Sequence, residues 1–508
     1  MLVPLHASDF LERGALVYPE RIALVDEPGA PGSLGRITYA ELQQRAWGVA
    51  TALAAFGVGA GERVAIVSPN SARFVASLFG VGAFGRIFVP INYRLNAAEV
   101  SFVLEHSGAK VVLVDPEFEH LVPPTDGITR VLLDDSDGHR LFEPASARPA
   151  DAPTAMDENA VLSVNYTSGT TARPKGVQLT HRNCWLSAAV LGWMAGITDR
   201  DVYLHTLPTF HCNGWGLPFA LTAMGVKQVI VRRIDGAEIL RRIEAEGVTL
   251  LAGAPTVVSA ILDAAQRRGR RPEAMPVRMI VAGAPPPSKV IERLETELGW
   301  EFIQLYGLTE TAPLLTLNRA PQEWDSTDAR ERSRLLSRAG VPALGVRLAI
   351  SDDGEILARG NHVFGGYWEQ PDETDKAIRD GWFHTGDGGF LDDAHLVVSD
   401  RKKDVIITGG ENVSSIEVED VLCQHPSVAE AAVIGVPHPK WGETVVALVV
   451  LRGRDATTTD ELSEFCRSRL AHYKCPTSIS VRGDLPRTAT GKLQKFVLRE
   501  TYRDGVLA

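Results

Sequence analysis

Hydroxyls, glycines and a lysine crowd the segment Tyr166-Thr-Ser-Gly-Thr-Thr-Ala-Arg-Pro-Lys-Gly176. Backbone N–H groups in such a loop can curl around phosphate oxygens, because glycine leaves the approach open. Lys175 adds a positive charge, so the segment predicts a polyphosphate ligand and an enzyme that consumes ATP. The nucleotide P-loop has the pattern G-x-x-x-x-G-K-[ST]. Here Pro174 stands where its last glycine should be and Gly176 where its Mg-binding hydroxyl should be, so an ordinary P-loop NTPase is excluded. A Ser/Thr/Gly run is also ordinary turn material, and its surroundings must decide.

Those surroundings have α/β character. Short β-branched runs, Val64-Ala-Ile-Val, Val111-Val-Leu-Val, Val229-Ile-Val and Val277-Arg-Met-Ile-Val, are each followed by a loop and a helical pattern. Val257, Val258, Ile261, Leu262 and Ala265 share one helical face, as do Val290, Ile291, Leu294 and Leu298. In open α/β sheets ligands sit beyond the carboxyl ends of strands. Residues 167–176, Gly283-Ala-Pro285 and Tyr306-Gly-Leu-Thr-Glu310 occupy that position and can meet at one pocket. Near residue 400 the texture changes to the charged run Asp400-Arg-Lys-Lys-Asp404, which predicts a domain boundary. Beyond it Ser414 and Glu417 have capping-box spacing for a helix carrying Val418, Val421 and Leu422.

At 508 residues the chain is long enough for two or more domains. A net charge of −11 argues against a nucleic-acid partner, which would need a basic face. The five cysteines show no zinc spacing or disulfide framework, so a reducing compartment is expected. Asp9 and Glu12 precede any apolar run, so no signal peptide is expected, and the uncharged residues 74–85 are too few to span a bilayer. These features predict a cytoplasmic protein without a transmembrane segment. Gly80-Val-Gly-Ala-Phe-Gly85 fits G-x-G-x-x-G, but it follows a helical pattern and precedes a strand-like run, the reverse of the dinucleotide arrangement. Helix packing is the expected reason for it.

Four separated motifs point one way: Thr167-Ser-Gly-Thr-Thr-Ala-Arg-Pro-Lys-Gly176, Tyr306-Gly-Leu-Thr-Glu310, Trp382-Phe-His-Thr-Gly-Asp387 and Pro486-Arg-Thr-Ala-Thr-Gly-Lys492. In order and rough separation they resemble the motifs of the adenylate-forming acyl-CoA synthetases. Residues 322–345 look most like the branch of plant acyl-activating enzymes and methylmercaptopropionate-CoA ligases. The resemblance implies a large N-terminal AMP-binding domain, 1–399, of mixed sheets flanked by helices, a hinge at 400–404, and a small mobile α+β domain, 405–508. It implies two steps: a carboxylate joins the α-phosphate of ATP with loss of pyrophosphate, and a thiol then displaces AMP. Catalysis in the first step must come from positioning and charge neutralisation, since an anion approaches a polyanion.

By motif position the resemblance assigns Thr167, Ser168, Gly169, Thr170, Thr171 and Lys175 to the phosphates, and Glu310 to Mg²⁺, for which a hard oxygen ligand is suitable. Thr309, with Gly307, would lie at the α-phosphate. Tyr306 would stack on adenine, with Gly283, Ala284 and Pro285 across the slot. Asp387 would accept from the ribose hydroxyls, with Arg401 nearby. Lys492 would bridge the carboxylate and α-phosphate, and Lys403 matches the hinge position. Rotation would exchange Lys492 for Gly409 and Gly410 beside the pantetheine arm of coenzyme A, with Trp441 packed on that arm and His211 gating the thiol tunnel. Cys212, Asn213, Trp215, Gly253 and Ala254 would border the acyl pocket. Singly, Asp387 and Glu310 read equally well as a turn residue and a helix N-terminal acid, Lys492 as a solvated lysine and His211 as a core histidine. Two departures stand out: Ala172 replaces the usual glycine of the phosphate loop, and Ser415-Ile416 replaces the common Tyr-Pro. The expected reaction is ATP- and CoA-dependent ligation of a small or medium-chain carboxylic acid. A carrier-protein pantetheine or another nucleophile is the alternative acceptor, and a non-catalytic binding protein the alternative class. The sequence leaves a homodimer open.

Overall fold

Four sheets carry the chain in the computed structural model, which describes residues 2–149, 157–167, 174–269, 276–401, 404–408, 411–453, 457–488 and 493–503. The first, of nine strands, has a parallel centre built from Ile22–Val25, Lys227–Ile230, Val202–His205, Leu250–Gly253, Arg278–Val281 and Glu301–Tyr306. The second, of seven strands, runs parallel from Val161–Thr167 through Ile87–Ile91, Arg63–Val67 and Ala109–Val114 to Thr129–Leu132. Lys175–Thr180 and Gly366–Tyr367 extend it antiparallel. Parallel strands are covered on both faces and read as apolar runs. Ile87–Ile91 is accordingly buried along its whole length, as are Val64, Ala65, Ile66 and Val67.

One apolar cluster joins the two sheets, with Ile66, Phe88 and Leu162 from one, Leu24, Ile280 and Ile303 from the other, and the helix Ala72–Gly82 among them. Ser71 caps that helix by accepting from the Phe74 N–H at 3.1 Å. A Cβ at Gly80 would sit 2.6 Å from Val49 Cβ, and one at Gly82 2.5 Å from Leu162 Cδ1. The G-x-G-x-x-G run is therefore helix packing, as its sequence context predicts. The helix Pro255–Arg268 buries Val257, Val258, Ile261 and Leu262 as expected, with Ala264 rather than Ala265 completing the buried face. No helix among the described residues is long and apolar enough to cross a membrane. All five cysteines are free.

The third sheet holds the long hairpin Trp382–Asp392 and His395–Arg401. The fourth begins at Ile406 and has its own core, including Ile406, Val413, Val418, Leu422, Val433 and Val445. Its helix Ser415–Cys423 is capped by Ser414, which accepts from the Glu417 N–H at 3.4 Å. The Glu417 carboxylate pairs with Lys474 at 2.7 Å, so one arm of the expected capping box forms and the acid serves the surface. Ser415, fully buried, donates through its N–H (3.1 Å) and hydroxyl to the Asp400 carboxylate. Lys495 bonds the Ser415 hydroxyl and pairs with Glu419 at 2.8 Å, and Glu419 also accepts from the Val433 N–H at 2.8 Å. The Ser415 departure thus supplies a donor to a buried polar cluster. The small domain touches the large one through Asp420, which accepts from the Ser288 N–H (2.8 Å) and hydroxyl (3.0 Å). Arg452 and Asp263 approach to 3.8 Å.

Candidate functional site

Parallel strands place the predicted nucleotide loops. Val281 pairs with Gly253 on one side and Gln304 on the other, so Gly253, Gly283 and Tyr306 emerge at one sheet edge. Gly283, at φ +90°, and Pro285 are exposed, while Ala284 is half-buried. The Tyr306 hydroxyl donates to the Asp387 carboxylate at 2.9 Å, joining residues 81 apart in sequence. Asp387 lies on the strand Trp382–Asp392, only 8% exposed, and its backbone pairs with that of Arg401. The predicted adenine-side and ribose-side residues therefore meet. A Cβ at Gly307 would fall 1.6 Å from the Pro313 carbonyl oxygen, so only glycine fits where the chain turns toward Thr309 and Glu310. Those two residues are buried on the short helix Thr309–Thr311.

A second chain of contacts reaches Glu310 from the predicted phosphate-binding segment. Thr167 ends its strand paired with Lys175. Lys175 forms an ion pair with Glu373 and lies 4.9 Å from the centroid of the Tyr367 ring. The Tyr367 hydroxyl donates to Glu310 Oε1 at 3.0 Å. Burial, then the Glu310 charge, pushes the Tyr367 phenol up, so it stays a donor. Bonds from Lys175 and then Lys376 hold the Glu373 carboxyl down at about 2. Sequence reasoning missed Tyr367 and Glu373. Their only local signal is an aromatic after Gly365-Gly366 and a proline-started helix, Pro371–Ala377, with acids in its first turn.

Among the described residues no group of three or more His, Cys, Asp or Glu is arranged to hold a metal. A single buried carboxylate, Glu310, suits Mg²⁺ that takes its other ligands from phosphates and water. Ser168, Gly169, Thr170, Thr171 and Ala172, with Lys403, Gly409, Gly410 and Lys492, lie outside the described residues. Trp441 is half-exposed, with the Lys440 ammonium 4.4 Å from its ring centroid.

Three of the predicted acyl-pocket residues, Cys212, Asn213 and Trp215, lie on an unusual turn. Cys212, Asn213, Gly214, Trp215 and Gly216 all have positive φ, between +47° and +70°. A left-handed backbone costs a non-glycine L-residue roughly 1–2 kcal/mol. Cys212, Asn213 and Trp215 are nevertheless buried there. Cys212 Sγ approaches the Thr309 carbonyl at 4.0 Å, bringing the turn to the Glu310 segment. Half-buried His211 precedes the turn and accepts from the Gly214 N–H at 3.0 Å through its carbonyl. Ala254 is half-buried at the start of Pro255–Arg268, and a Cβ on Gly253 would press Val257 at 3.1 Å.

The sequence pattern of the AMP-binding enzymes matches residues 11–368, and that of the AMP-binding enzyme C-terminal domain residues 417–492. A probable acyl-activating enzyme 9 of Arabidopsis thaliana is 37% identical, over 98% of this chain and 97% of its own length. A 4-hydroxybutyrate–CoA ligase of Metallosphaera sedula is 35% identical, over 96% and 93%. The o-succinylbenzoate coenzyme A synthetase of Bacillus subtilis, solved with ATP and magnesium ion, superposes with a TM-score of 0.81 at 32% identity, covering 98% of this chain and 99% of that one. Matched over nearly its whole length by the family patterns and relatives, the chain belongs to the AMP-binding enzymes, as an adenylate-forming acyl-CoA synthetase.

Proposed function

We propose that this enzyme activates a small or medium-chain carboxylic acid with ATP and passes the acyl group to coenzyme A. The observation that carries the reading is the meeting of separated motifs: Tyr306 with Asp387, and Lys175 through Tyr367 with Glu310. In the first step a carboxylate oxygen bonds to the α-phosphorus, the bond from that phosphorus to the bridging oxygen breaks, and pyrophosphate leaves. In the second the thiol sulfur bonds to the acyl carbon, AMP leaves with the carboxylate oxygen, and the thiol proton goes to solvent.

This chain's residues would divide the work as follows. Lys175, with Thr167, Ser168, Gly169, Thr170 and Thr171, holds the β- and γ-phosphates. Gly307 and Thr309 bring backbone and hydroxyl to the α-phosphate, and Glu310 holds Mg²⁺, which neutralises phosphate charge when bound. Asp387 accepts from the ribose and Tyr306 lines the adenine slot opposite residues 283–285. Lys492, from a small domain spanning 405–508, neutralises the reacting oxygens. A hinge at 400–404 with Lys403 as pivot then brings Gly409 and Gly410 to the thiol path. His211 gates the thiol tunnel, and Cys212, Asn213, Trp215, Gly253 and Ala254 border the acid. The two relatives acting on 4-hydroxybutyrate and o-succinylbenzoate support acids of modest size. Free CoA in a cytoplasmic setting is the favoured acceptor, and a carrier-protein pantetheine the alternative.

The test is pyrophosphate release with ATP and Mg²⁺ across acids from acetate to long fatty acids and simple aromatics, with and without CoA. CoA-stimulated release with a short or medium acid is expected. Release indifferent to CoA would move the acceptor elsewhere, and release only with long chains would refute the acid class.

A further inference from the structure

A turn with three non-glycine residues in the left-handed region persists only where its surroundings over-determine it. The restraint here is a closed ring of side chains. Asn165 Nδ2 donates to Asn213 Oδ1 at 3.2 Å, Asn213 Nδ2 donates to Ser163 Oγ at 2.8 Å, and the Ser163 hydroxyl donates to Asn165 Oδ1 at 2.8 Å. Each group gives one bond and takes one, all in the same rotational sense, so the bonds polarise one another. Ser163 is 0%, Asn165 2% and Asn213 1% exposed, which leaves no bulk water to compete.

The location of the ring matters more than its strength. Ser163 and Asn165 alternate on one face of Val161–Thr167, and the next residue on that face is Thr167, which leads into the phosphate-binding segment. The turn's other anchor is Cys212 against the Thr309 carbonyl. The turn is thus tied both to the strand that feeds the phosphate loop and to the segment carrying Glu310. The Asn213 amide both gives and takes a bond within the ring.

We propose that the Ser163–Asn165–Asn213 ring is a positioning device that holds residues 212–216 as a stiff wall of the acid pocket, in register with the ATP-binding segment. The inference rests on the reading that this turn borders the acid. In-line attack on the α-phosphorus needs the carboxylate placed within a fraction of an ångström, since a 1 Å error costs about 10²-fold. A wall keyed to the phosphate-loop strand sets that distance, and its rigidity sets which acids satisfy it.

The experiment compares wild type with Ser163→Ala, Asn213→Gly and the double variant. Asn213→Gly keeps a residue at ease with positive φ while removing two sides of the ring. Pyrophosphate release is measured against acid and ATP separately, and hydrogen exchange by mass spectrometry at the amides of 211–217. The expected result is an acid KM raised about tenfold, weaker discrimination between the best acid and one a methylene shorter, an ATP KM within about twofold, and faster exchange in the turn. The double variant should be no worse than the poorer single one, because one broken side opens the ring. Unchanged acid KM and selectivity in both single variants would overturn the proposal, as would a uniform fall in kcat with a lower Tm and an unaltered acid profile. If wild type itself releases no pyrophosphate with any acid, the ligase reading fails and takes the proposal with it. That result is distinguishable, because it appears before any substitution.

Discussion

Gly307→Ala isolates the segment that turns from the adenine-side tyrosine toward Glu310. The new methyl would lie 1.6 Å from the Pro313 carbonyl oxygen, whereas real Cβ contacts stay beyond 3.0 Å. Residues 307–313 must therefore open by at least about 1.4 Å, and the obstacle is backbone rather than a side chain that can swing aside. Overpacking of this kind costs about 1–3 kcal/mol of stability, a loss a large domain survives. The catalytic cost is greater, since Thr309 and Glu310 ride on the displaced stretch and a 1 Å error costs about 10²-fold. We expect kcat/KM for ATP in pyrophosphate release to fall by about two orders of magnitude, with a Tm only a few degrees lower and unchanged circular dichroism. Activity within about threefold of wild type would show that the turn relaxes without moving Glu310 and would refute the reasoning.

Asp387→Asn keeps an acceptor for the Tyr306 hydroxyl but removes the charge that, on the proposed function, faces the ribose. Losing a charge-assisted hydrogen bond costs about 1.5–3 kcal/mol, so the ATP KM should rise about 10- to 150-fold with the acid KM unmoved. Glu373→Gln frees Lys175 from its ion pair. Partly exposed pairs are worth about 0.2–1 kcal/mol, so the ATP KM should fall by about 1.4- to 5-fold, more at low salt. A rise would show instead that Glu373 places the lysine. Burial holds His205 neutral with a pKa of about 4, and holds His181 neutral at about 3. The unfolded chain protonates both below about 6.5, so their stabilisation is complete above that pH and is lost as the pH falls toward the folded values. Each should subtract about 1.4 kcal/mol by pH 5.5 relative to pH 7.5. His205→Gln should flatten the dependence of Tm on pH in that window, and an unchanged slope would exclude the assignment.

Much of the scaffold was legible because its signals are local. Val64-Ala-Ile-Val and Val111-Val-Leu-Val are strands, and the loops beginning at residues 167, 283 and 306 follow strand ends as the α/β rule requires. The division of those strands between two sheets was not legible, since pairing order depends on distant partners. Nor were Tyr367 and Glu373, whose meaning comes from Glu310, 57 residues away, and Lys175, 198 residues away. Asn213 reads in the sequence as a residue bordering the acid, but its bonds to Ser163 and Asn165 could not be read there. Its side chain bonds Ser163 and Asn165 from a left-handed backbone that no periodicity announces. Glu417 shows the converse, a correct capping motif of which tertiary structure used only half.

The buried cluster of Asp400, Ser415, Lys495 and Glu419 has a mechanical consequence. Lys495 begins the helix Lys495–Arg503, three positions after Lys492, and is sunk against the helix Ser415–Cys423. Stripping one partner from such an ion pair costs about 3–5 kcal/mol, so the start of this helix is bolted to the body of the small domain. Asp400 sits at the other end of the cluster, at the near edge of the proposed pivot. Any rotation there must either carry Asp400 along or sever its bonds to Ser415. The proposed pivot would then have a detent, a preferred angle that must be clicked out of, and the dwell at that angle would be a clock on the interval between the two half-reactions.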